Sequence, residues 1–288
     1  MNDTLFSLNG RIVPEREAVV PVTDRGFLYG DGLFETLHAY GRTPFLLDAH
    51  LDRLARGLDA LAISGAPSRR KLARWVREAV AAAGFREANV RLTLTRGGGA
   101  RGPSVRGPST PFTVVTVTRY KRRPARDYTR GVRAILSRVR RQESGALAGF
   151  KTLAYLEQVF ARREADAAGA DEALLLNSAG LLCEGSASNL TLVRGGALRV
   201  PDPRLTGALP GTVQEFVVAQ ARRMGLPVAE AALGPWDLRD CDEAFLTGSM
   251  REVTPLVQVD DARIGNGKRG PVTQRLLEAY RKAVIRDV

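Results

Sequence analysis

The chain has 288 residues, 44% of them hydrophobic and 26% charged, and its 43 lysines and arginines exceed its 31 acidic residues to give a net charge of +12. This composition is that of a globular protein with one large domain or two smaller ones, and it excludes a disordered chain. No apolar run approaches the ~20 residues of a membrane helix, no secretory signal is visible and two cysteines cannot build a disulfide framework, so we expect a cytoplasmic protein without a membrane partner.

The first half of the chain shows strand and helix signals in alternation. Strands are indicated by alternating apolar residues between turn residues, and helices by leucines at three- and four-residue spacing behind a capping residue. The predicted elements are a hairpin at 4–22 around Asn9–Gly10, a strand pair within 33–47 joined at Gly41–Arg42, a helix capped by Asp48, a helix from Ser68 to Gly84, and strands at 89–96 and 111–118 around a glycine-rich loop at 97–109.

The second half continues the same mixture after a charged, proline-broken stretch. Its predicted elements are a strand at 132–139, a helix from about Thr152 to Ala168, strands at 172–177 and 189–193, a helix at Val213–Met224, a strand at 243–247 and a helix at about Val272–Ile285. We therefore predict an α+β protein with a small N-terminal domain at 1–119, a linker at 120–131 and a larger domain at 132–288.

The residue inventory removes most familiar catalytic centres. The chain has only two histidines, no metal-ligand spacing, no serine-nucleophile elbow and no P-loop, so no metal site is predicted. A literal G-x-G-x-x-G at 265–270 lies near the end of the chain without a βαβ unit, which indicates a turn. Aromatic residues make up 6% and no nucleic-acid-binding module is visible, so we expect no nucleic-acid partner.

Lys151 is the first candidate for chemistry, because it lies among small and apolar residues in GALAGFKTLAYLEQVF. Desolvation there favours the neutral amine that Schiff-base chemistry requires, whereas the alternative is an ordinary lysine whose end reaches solvent. Three further stretches are a carboxylate among small residues at 184–189 (EGSASN), a helix start suited to phosphate at 209–212 (LPGT) and a small polar turn at 247–250 (TGSM). Each of the three also fits an ordinary turn or cap.

Together these motifs resemble the class IV aminotransferases. These are the fold-type-IV pyridoxal-phosphate enzymes, which include branched-chain aminotransferases, D-amino-acid transaminases, (R)-amine transaminases and aminodeoxychorismate lyases. The matching segments, in chain order, are 24–36 (DRGFLYGDGLFET), 50–54 (HLDRL), 151–155 (KTLAY), 184–189, 209–212 and 246–249 (LTGS). The resemblance covers essentially the whole chain and implies a small N-terminal α+β domain, a larger C-terminal α/β-barrel-like domain and a homodimer.

The resemblance implies pyridoxal 5'-phosphate as the cofactor and a role for each matching residue. Lys151 is expected to hold the cofactor as an internal aldimine and to carry the proton between Cα and C4′, and Glu184 to keep the pyridine nitrogen protonated. The other implied contacts are Arg53, the backbone N–H groups of Thr212 and Val213 and the Ser249 hydroxyl with the phosphate, Tyr155 with the phenolic oxygen, and Leu209 with the ring face. Val213 stands where a hydroxyl residue is common, which implies a somewhat weaker hold on the phosphate.

The substrate is where the motifs diverge. Tyr29, Phe34 and Arg91 match positions that line the substrate pocket of branched-chain enzymes. Arg96 and Arg101 lie in the stretch 95–102 (TRGGGARG), and Arg101 matches the carboxylate-binding arginine of D-amino-acid transaminases. The resemblance thus implies a transaminase that moves an amino group from an L- or D-amino acid of branched-chain type, or an (R)-amine, to a 2-oxo acid. The alternatives are an aminodeoxychorismate lyase that releases pyruvate and 4-aminobenzoate, and a cofactor-binding protein without turnover.

Overall fold

The computed structural model describes residues 3–99, 102–107 and 109–287, and it divides the chain into two compact units. The first unit is drawn from Met1–Lys121, Phe150–Ala154 and Arg286–Val288, and the second from Arg122–Gly149 and Tyr155–Ile285. Among the helices described, none combines the length and the apolar composition that crossing a membrane requires.

The first unit is an antiparallel sheet with two long helices. Its strands are β1 (Thr4–Leu8), β2 (Arg11–Val13), β3 (Gly32–Tyr40), β4 (Thr43–Pro44), β5 (Glu87–Gly98) and β6 (Thr110–Arg119), in the order β2-β1-β6-β5-β3-β4. Its helices are α1 (Arg25–Tyr29), α2 (Leu47–Ala60) and α3 (Arg69–Ala83), with a 3₁₀ turn at Glu15–Glu17.

Local sequence explains most boundaries in this unit. Asn9 and Gly10 both have positive φ (49° and 85°), as a tight two-residue hairpin turn requires, and this confirms the hairpin between β1 and β2. Ser68 caps α3 by accepting the Lys71 N–H, and Gly84 ends α3 with φ 66°. The leucines and valines of α2 and α3 bury themselves with the sheet in one hydrophobic core.

The second unit contains a mixed sheet with helices. Its strands are β7 (Val132–Arg141), β8 (Glu172–Asn177), β9 (Leu182–Gly185), β10 (Asn189–Arg194), β11 (Ala197–Pro201), β12 (Val228–Ala231), β13 (Glu243–Gly248), β14 (Glu252–Val259) and β15 (Ala262–Arg263). Its helices are α4 (Ala125–Thr129), α5 (Leu156–Ala167), α6 (Pro203–Thr206), α7 (Thr212–Arg223), α8 (Asp237–Asp240) and α9 (Pro271–Asp287), the last of which runs past the unit boundary at Ile285.

Six of these strands form a closed barrel. The sheet runs β10-β13-β14-β7-β8-β9, and β9 pairs again with β10, so the first and last strands meet. The closing pair is Glu184 with Asn189, and the Gly185 N–H donates to the Ser188 carbonyl at 2.7 Å beside it. Closure thus falls on the EGSASN segment, and the predicted α+β fold with a barrel-like second part is confirmed.

The structure also corrects the predicted elements. The helix predicted from Thr152 begins at Leu156, and α2 is capped by Leu46 and not by Asp48, which lies in its first turn. The stretch predicted as a linker at 120–131 contains α4. Elements of four or five residues, namely α1, α6, α8, β9, β11 and β12, carried too little pattern to be predicted, and the eight-residue strand β14 was also not predicted.

Candidate active site

Backbone hydrogen bonds to β3 hold Lys151 in the first unit. The Phe34 N–H donates to the Lys151 carbonyl at 3.0 Å, and the Leu153 N–H donates to the Gly32 carbonyl at 3.0 Å. A Cβ at Gly32 would lie 2.5 Å from the Leu94 carbonyl oxygen of the neighbouring strand, so this position of β3 requires glycine. The backbone of Lys151 is therefore held against the sheet, so the position from which its side chain extends is fixed.

The Lys151 side chain shares an aromatic ring with an arginine. Lys151 Nζ lies 4.6 Å from the centroid of the Phe34 ring, and Arg91 Cζ lies 3.7 Å from the same centroid. Phe34 is buried, whereas Arg91 is an exposed residue of β5. Cations favour the face of an aromatic ring, so Phe34 positions both side chains.

A buried carboxylate, Glu35, organises the next group. Arg53 donates from Nε to Glu35 Oε1 at 2.8 Å and from Nη2 to Oε2 at 2.6 Å, and His50 Nδ1 lies 2.7 Å from Oε2. Burial disfavours the charged carboxylate, but Arg53 and His50 outweigh it and hold the pKa of Glu35 at about 2. Burial also lowers the pKa of His50, although Glu35 opposes this, so we expect a neutral imidazole at pH 7.

Arg96 and Tyr29, two further candidates of the first unit, are hydrogen-bonded to other protein groups. Arg96 donates from Nε to Asp31 at 2.8 Å, from Nη1 to the Ala62 carbonyl at 2.9 Å and from Nη2 to the Leu61 carbonyl at 2.7 Å. All three of its nitrogens thus bind the protein. Tyr29 is half-exposed, its hydroxyl accepts the Gly102 N–H at 2.8 Å, and Arg101 lies outside the described residues.

In the second unit, Glu184 and Asn189 anchor the LPGT turn at the point of barrel closure. Glu184 Oε2 accepts the Leu209 N–H at 3.1 Å, and Asn189 Nδ2 donates to the Leu209 carbonyl at 2.7 Å. Glu184 Oε1 lies 3.6 Å from Arg141 Nε, which places a positive charge beside this carboxylate. A Cβ at Gly211 would lie 1.9 Å from Asn189 Oδ1, so the turn approaches this closely only because residue 211 is glycine.

The LPGT turn leads directly into helix α7. Gly211 is the cap residue, and the first N–H bonded back along the helix is that of Glu215, which donates to the Gly211 carbonyl at 2.8 Å. The N–H groups of Thr212 and Val213 therefore precede the intrahelical ladder and point out of the positive end of the helix dipole. Val213 is buried and has no hydroxyl, so it can offer an anion only this N–H.

Tyr155 and Ser249 complete the second-unit candidates. The Tyr155 hydroxyl donates to the Ser186 carbonyl at 3.4 Å, a contact to the loop that follows Glu184. Ser249 is half-buried in the short turn between β13 and β14. The first unit thus holds Lys151, Arg53, Tyr29, Phe34, Arg91 and Arg96, and the second holds Tyr155, Glu184, Leu209, Thr212, Val213 and Ser249.

Two buried carboxylates, one in each unit, went unrecognised in the sequence. Glu35 appears there only within the 24–36 signature, and Glu172, which binds Ser186 and Ser188, only within a predicted strand. The available signal was a glutamate inside an otherwise apolar strand segment, because such a residue is rarely buried without partners.

Comparison with known proteins places the whole chain in one group. Residues 32–259 match the family model described as amino-transferase class IV. A Methanocaldococcus jannaschii protein named "Putative branched-chain-amino-acid aminotransferase" is 35% identical over 277 residues, which is 95% of this chain and 94% of that protein. Two solved structures are also similar.

The first of these is a branched-chain amino acid aminotransferase from T.th. with pyridoxamine 5'-phosphate. It has a TM-score of 0.92 and 30% identity, over 100% of this chain and 96% of that one. The second is the 4-amino-4-deoxychorismate lyase from Pseudomonas aeruginosa. It has a TM-score of 0.87 and 34% identity, over 96% of this chain and 98% of that one.

Proposed function

The chain belongs to the class IV aminotransferases, which use pyridoxal 5'-phosphate, and on that premise we propose that it is a transaminase moving an amino group from an amino acid to a 2-oxo acid. The observation that carries the proposal is the position of Lys151, whose backbone carbonyl accepts the Phe34 N–H of β3 and whose Nζ lies 4.6 Å from the Phe34 ring centroid. A transaminase needs one lysine in a defined place, because the same amine must bind the cofactor and move the substrate proton.

The residues present fit a phosphorylated pyridine. Gly211 lets the LPGT turn lie against Asn189, where a Cβ would come within 1.9 Å of Oδ1, and this approach aims the start of α7. The outward N–H groups of Thr212 and Val213 are donors of the kind that a phosphate dianion requires. We propose Arg53 and the Ser249 hydroxyl as phosphate contacts, with the Arg53 guanidinium held in plane by its two bonds to Glu35.

Each residue of the proposed site is assigned one role in the reaction. Bound pyridoxal phosphate supplies an electrophilic carbon and a ring that accepts electrons. Glu184 would accept the N–H of the pyridine nitrogen, and its orientation is set by the Leu209 N–H at 3.1 Å. Lys151 would move the proton between the substrate Cα and C4′ of the cofactor. Tyr155 would bind the phenolic oxygen and Leu209 would cover the ring face.

Substrate binding is assigned to Tyr29, Phe34 and Arg91. Arg91 lies on the same Phe34 ring as Lys151, and the two centroid distances place its guanidinium within about 8 Å of the lysine amine. A guanidinium suits a substrate carboxylate, and we propose that Arg91 binds it. Arg96 is less suitable, because each of its nitrogens already donates to a protein acceptor. Arg101 stays a candidate for the same carboxylate. We propose a branched-chain-type amino donor, L or D, or an (R)-amine, and the branched-chain type agrees with the names of the two related aminotransferases.

We further propose a cytoplasmic homodimer. Leu156, Val159 and Phe160 are 70%, 56% and 50% exposed at three- and four-residue spacing on α5, which is an apolar stripe suited to a second copy of the chain. Both cysteines are buried free thiols, as is usual in a reducing compartment. Light scattering on the purified protein gives the mass and tests the dimer.

A second candidate is an aminodeoxychorismate lyase that releases pyruvate and 4-aminobenzoate. It is favoured by the 34% identity to the Pseudomonas aeruginosa lyase over almost the whole of both chains. The lyase would use the same lysine and the same cofactor contacts, so the two candidates differ in the substrate and in the group that leaves it, an amino group transferred to a 2-oxo acid or pyruvate eliminated.

The experiment is a visible absorbance spectrum before and after addition of L-leucine, D-alanine, an (R)-amine or aminodeoxychorismate. We expect a cofactor band in the wild type that one amino donor bleaches. Lys151→Met is expected to abolish the band, whereas Lys71→Met keeps it, because Lys71 also lies on an aromatic ring, Trp75, at 4.9 Å but is not on β3. No band in the wild type refutes the proposal, and a band bleached by no donor together with pyruvate release selects the lyase.

A further inference from the structure

A second buried carboxylate, Glu172 at the start of β8, gathers donors from the loop after Glu184. Its Oε1 accepts the Ser186 N–H at 3.1 Å and the Ser186 hydroxyl, and its Oε2 accepts the Ser188 hydroxyl at 2.7 Å. The Glu172 side chain has no exposed surface. A Cβ at Gly185 would lie 2.3 Å from Ser188 Oγ and 3.0 Å from Glu172 Cδ, so the loop is wrapped tightly around this carboxylate.

The same carboxylate binds a residue from another loop. Arg251 Nη2 lies 3.0 Å from Glu172 Oε2 and donates to the Asp171 carbonyl at 2.9 Å. Arg251 is 7% exposed, and its Nη1 finds no hydrogen-bond partner within the described residues. This arginine belongs to the turn Gly248–Glu252, which also carries Ser249.

The backbone of the turn Gly248–Glu252 is constrained by hydrogen bonds and by an unusual φ. The Arg251 N–H donates to the Gly248 carbonyl at 2.9 Å, the Thr254 hydroxyl donates to the Arg251 carbonyl at 2.7 Å, and Glu252 has a positive φ of 57°. Non-glycine residues rarely adopt such a φ, and they hold it only where the surroundings impose it. We therefore expect a change in the Arg251 side chain to shift the turn, and with it Ser249.

Glu172 and Arg251 form a buried ion pair whose charges compensate each other. Burial lowers the pKa of Arg251, the Glu172 carboxylate opposes that effect, and the nearby Arg123 and Arg162 add to the lowering. Glu172 is thus, with Asp171, a carboxylate that offsets the effect of burial on this guanidinium. Removing one member of a buried pair leaves the other without compensation, whereas replacing both by neutral groups is often tolerated.

We propose that Glu172 and Arg251 are positioning residues that fix the spacing between the loop after Glu184 and the turn that carries Ser249. The inference rests on the proposed function, in which Glu184 contacts the pyridine end of the cofactor and Ser249 the phosphate end. A rigid link between two contacts makes binding of the second end effectively intramolecular, and a loose link loses that gain.

The test compares pyridoxal 5'-phosphate with pyridoxal, each titrated into the apoprotein of the wild type, E172Q, R251M and the double variant. The dissociation constant of pyridoxal divided by that of pyridoxal 5'-phosphate measures how much affinity the phosphate adds once the ring is bound. We expect this ratio to fall about tenfold in E172Q and in R251M, although neither residue touches the phosphate. Amide exchange of residues 185–189 is expected to rise in R251M, which changes a different loop.

R281M is the matched control, because Arg281 Nε binds Glu252 Oε2 of the same turn at 2.8 Å but is half-exposed. We expect its ratio to stay within about twofold of the wild type. If a single variant fails to fold, the double variant replaces it in the test, because loss of both members of a buried pair is often tolerated. In it we expect the thermal midpoint to return toward the wild-type value while the ratio stays low.

An unchanged ratio in E172Q and R251M, or a wild-type ratio in the double variant, overturns the positioning role. An equal loss for pyridoxal and its phosphate does the same, because it shows a general effect on folding. Failure of the wild type to bind pyridoxal 5'-phosphate at all refutes the proposed function instead, and the two failures are therefore distinguishable.

Discussion

Glu35 contributes stability that depends on pH, and the structure allows its size to be worked out. The carboxylate is buried, and Arg53 and His50 hold its pKa at about 2 against an ordinary value of 4.5. Each pH unit of that difference is worth about 1.4 kcal/mol, so ionised Glu35 stabilises the folded state by about 3 kcal/mol. Because the folded pKa is the lower one, this contribution is present above pH 4.5 and is lost as the pH falls toward 2.

The perturbation is Glu35→Gln, and the assay is urea unfolding between pH 2 and pH 7. A Trp236→Phe background leaves Trp75, in the core of the first unit, as the only tryptophan and thus as the fluorescence probe. We expect the advantage of Glu35 over Gln to be about 3 kcal/mol at pH 7 and to shrink nearly to zero at pH 2.

Glu78→Gln is the control, because Glu78 is exposed and lies 3.7 Å from Arg74 in a surface pair. Such pairs contribute ~0–1 kcal/mol, so we expect little change at any pH. An advantage of Glu35 that is the same at pH 2 and pH 7, or no larger than that of Glu78, refutes the account of the buried cluster.

Three further predictions concern other parts of the molecule. Gly211→Ala is expected to weaken pyridoxal 5'-phosphate binding at least about tenfold in an absorbance titration, because its Cβ has no room beside the neighbouring asparagine. Arg91→Met is expected to raise the KM for the 2-oxo acid about tenfold in steady-state kinetics, whereas Arg96→Met lowers the thermal midpoint without a selective effect on KM. Burial raises the pKa of the Cys183 and Cys241 thiols to about 12, so neither is expected to react with a disulfide reagent in the native protein at pH 8, while both react in urea.

Each of these has a control and a contrary outcome. Gly98→Ala should bind the cofactor normally, because a Cβ there has nothing within 4 Å. Equal losses of affinity in both alanine variants would contradict a specific need for glycine at position 211. A KM effect of Arg96→Met as large as that of Arg91→Met would reverse the assignment of the substrate arginine. Rapid labelling of native thiols would show that the cysteines are not sealed in the core.

The first turn of the helix after Lys151 shows where local pattern misleads. Helical spacing of apolar residues reaches back to Thr152, and the predicted helix begins there. In the structure, Lys151 and Leu153 are hydrogen-bonded to β3, so this segment cannot form helical bonds and α5 begins at Leu156. The competing interaction comes from residues more than a hundred positions away, which no local window contains.

The cap of α2 shows the same limit on a smaller scale. Asp48 is a good cap residue by type, yet Leu46 occupies the cap position with φ 55° and Asp48 falls in the first turn. By contrast, Ser68 and Gly84 bound α3 as predicted, because a side-chain cap and a left-handed glycine depend only on neighbouring residues.

By itself, the sequence determined the features that are local or carried by ordered motifs. These are the α+β class, the long helices and strands, the hairpin at Asn9–Gly10, the family and its cofactor. Such features follow from residue type and spacing, which the chain displays directly.

Only the tertiary structure decided which groups share a site. It closed the barrel at Glu184 and Asn189, set Lys151 and Arg91 on one ring, and filled all three nitrogens of Arg96 with protein acceptors. It also showed the two buried carboxylates, Glu35 and Glu172, because a charge inside a core is stable only where distant donors converge on it.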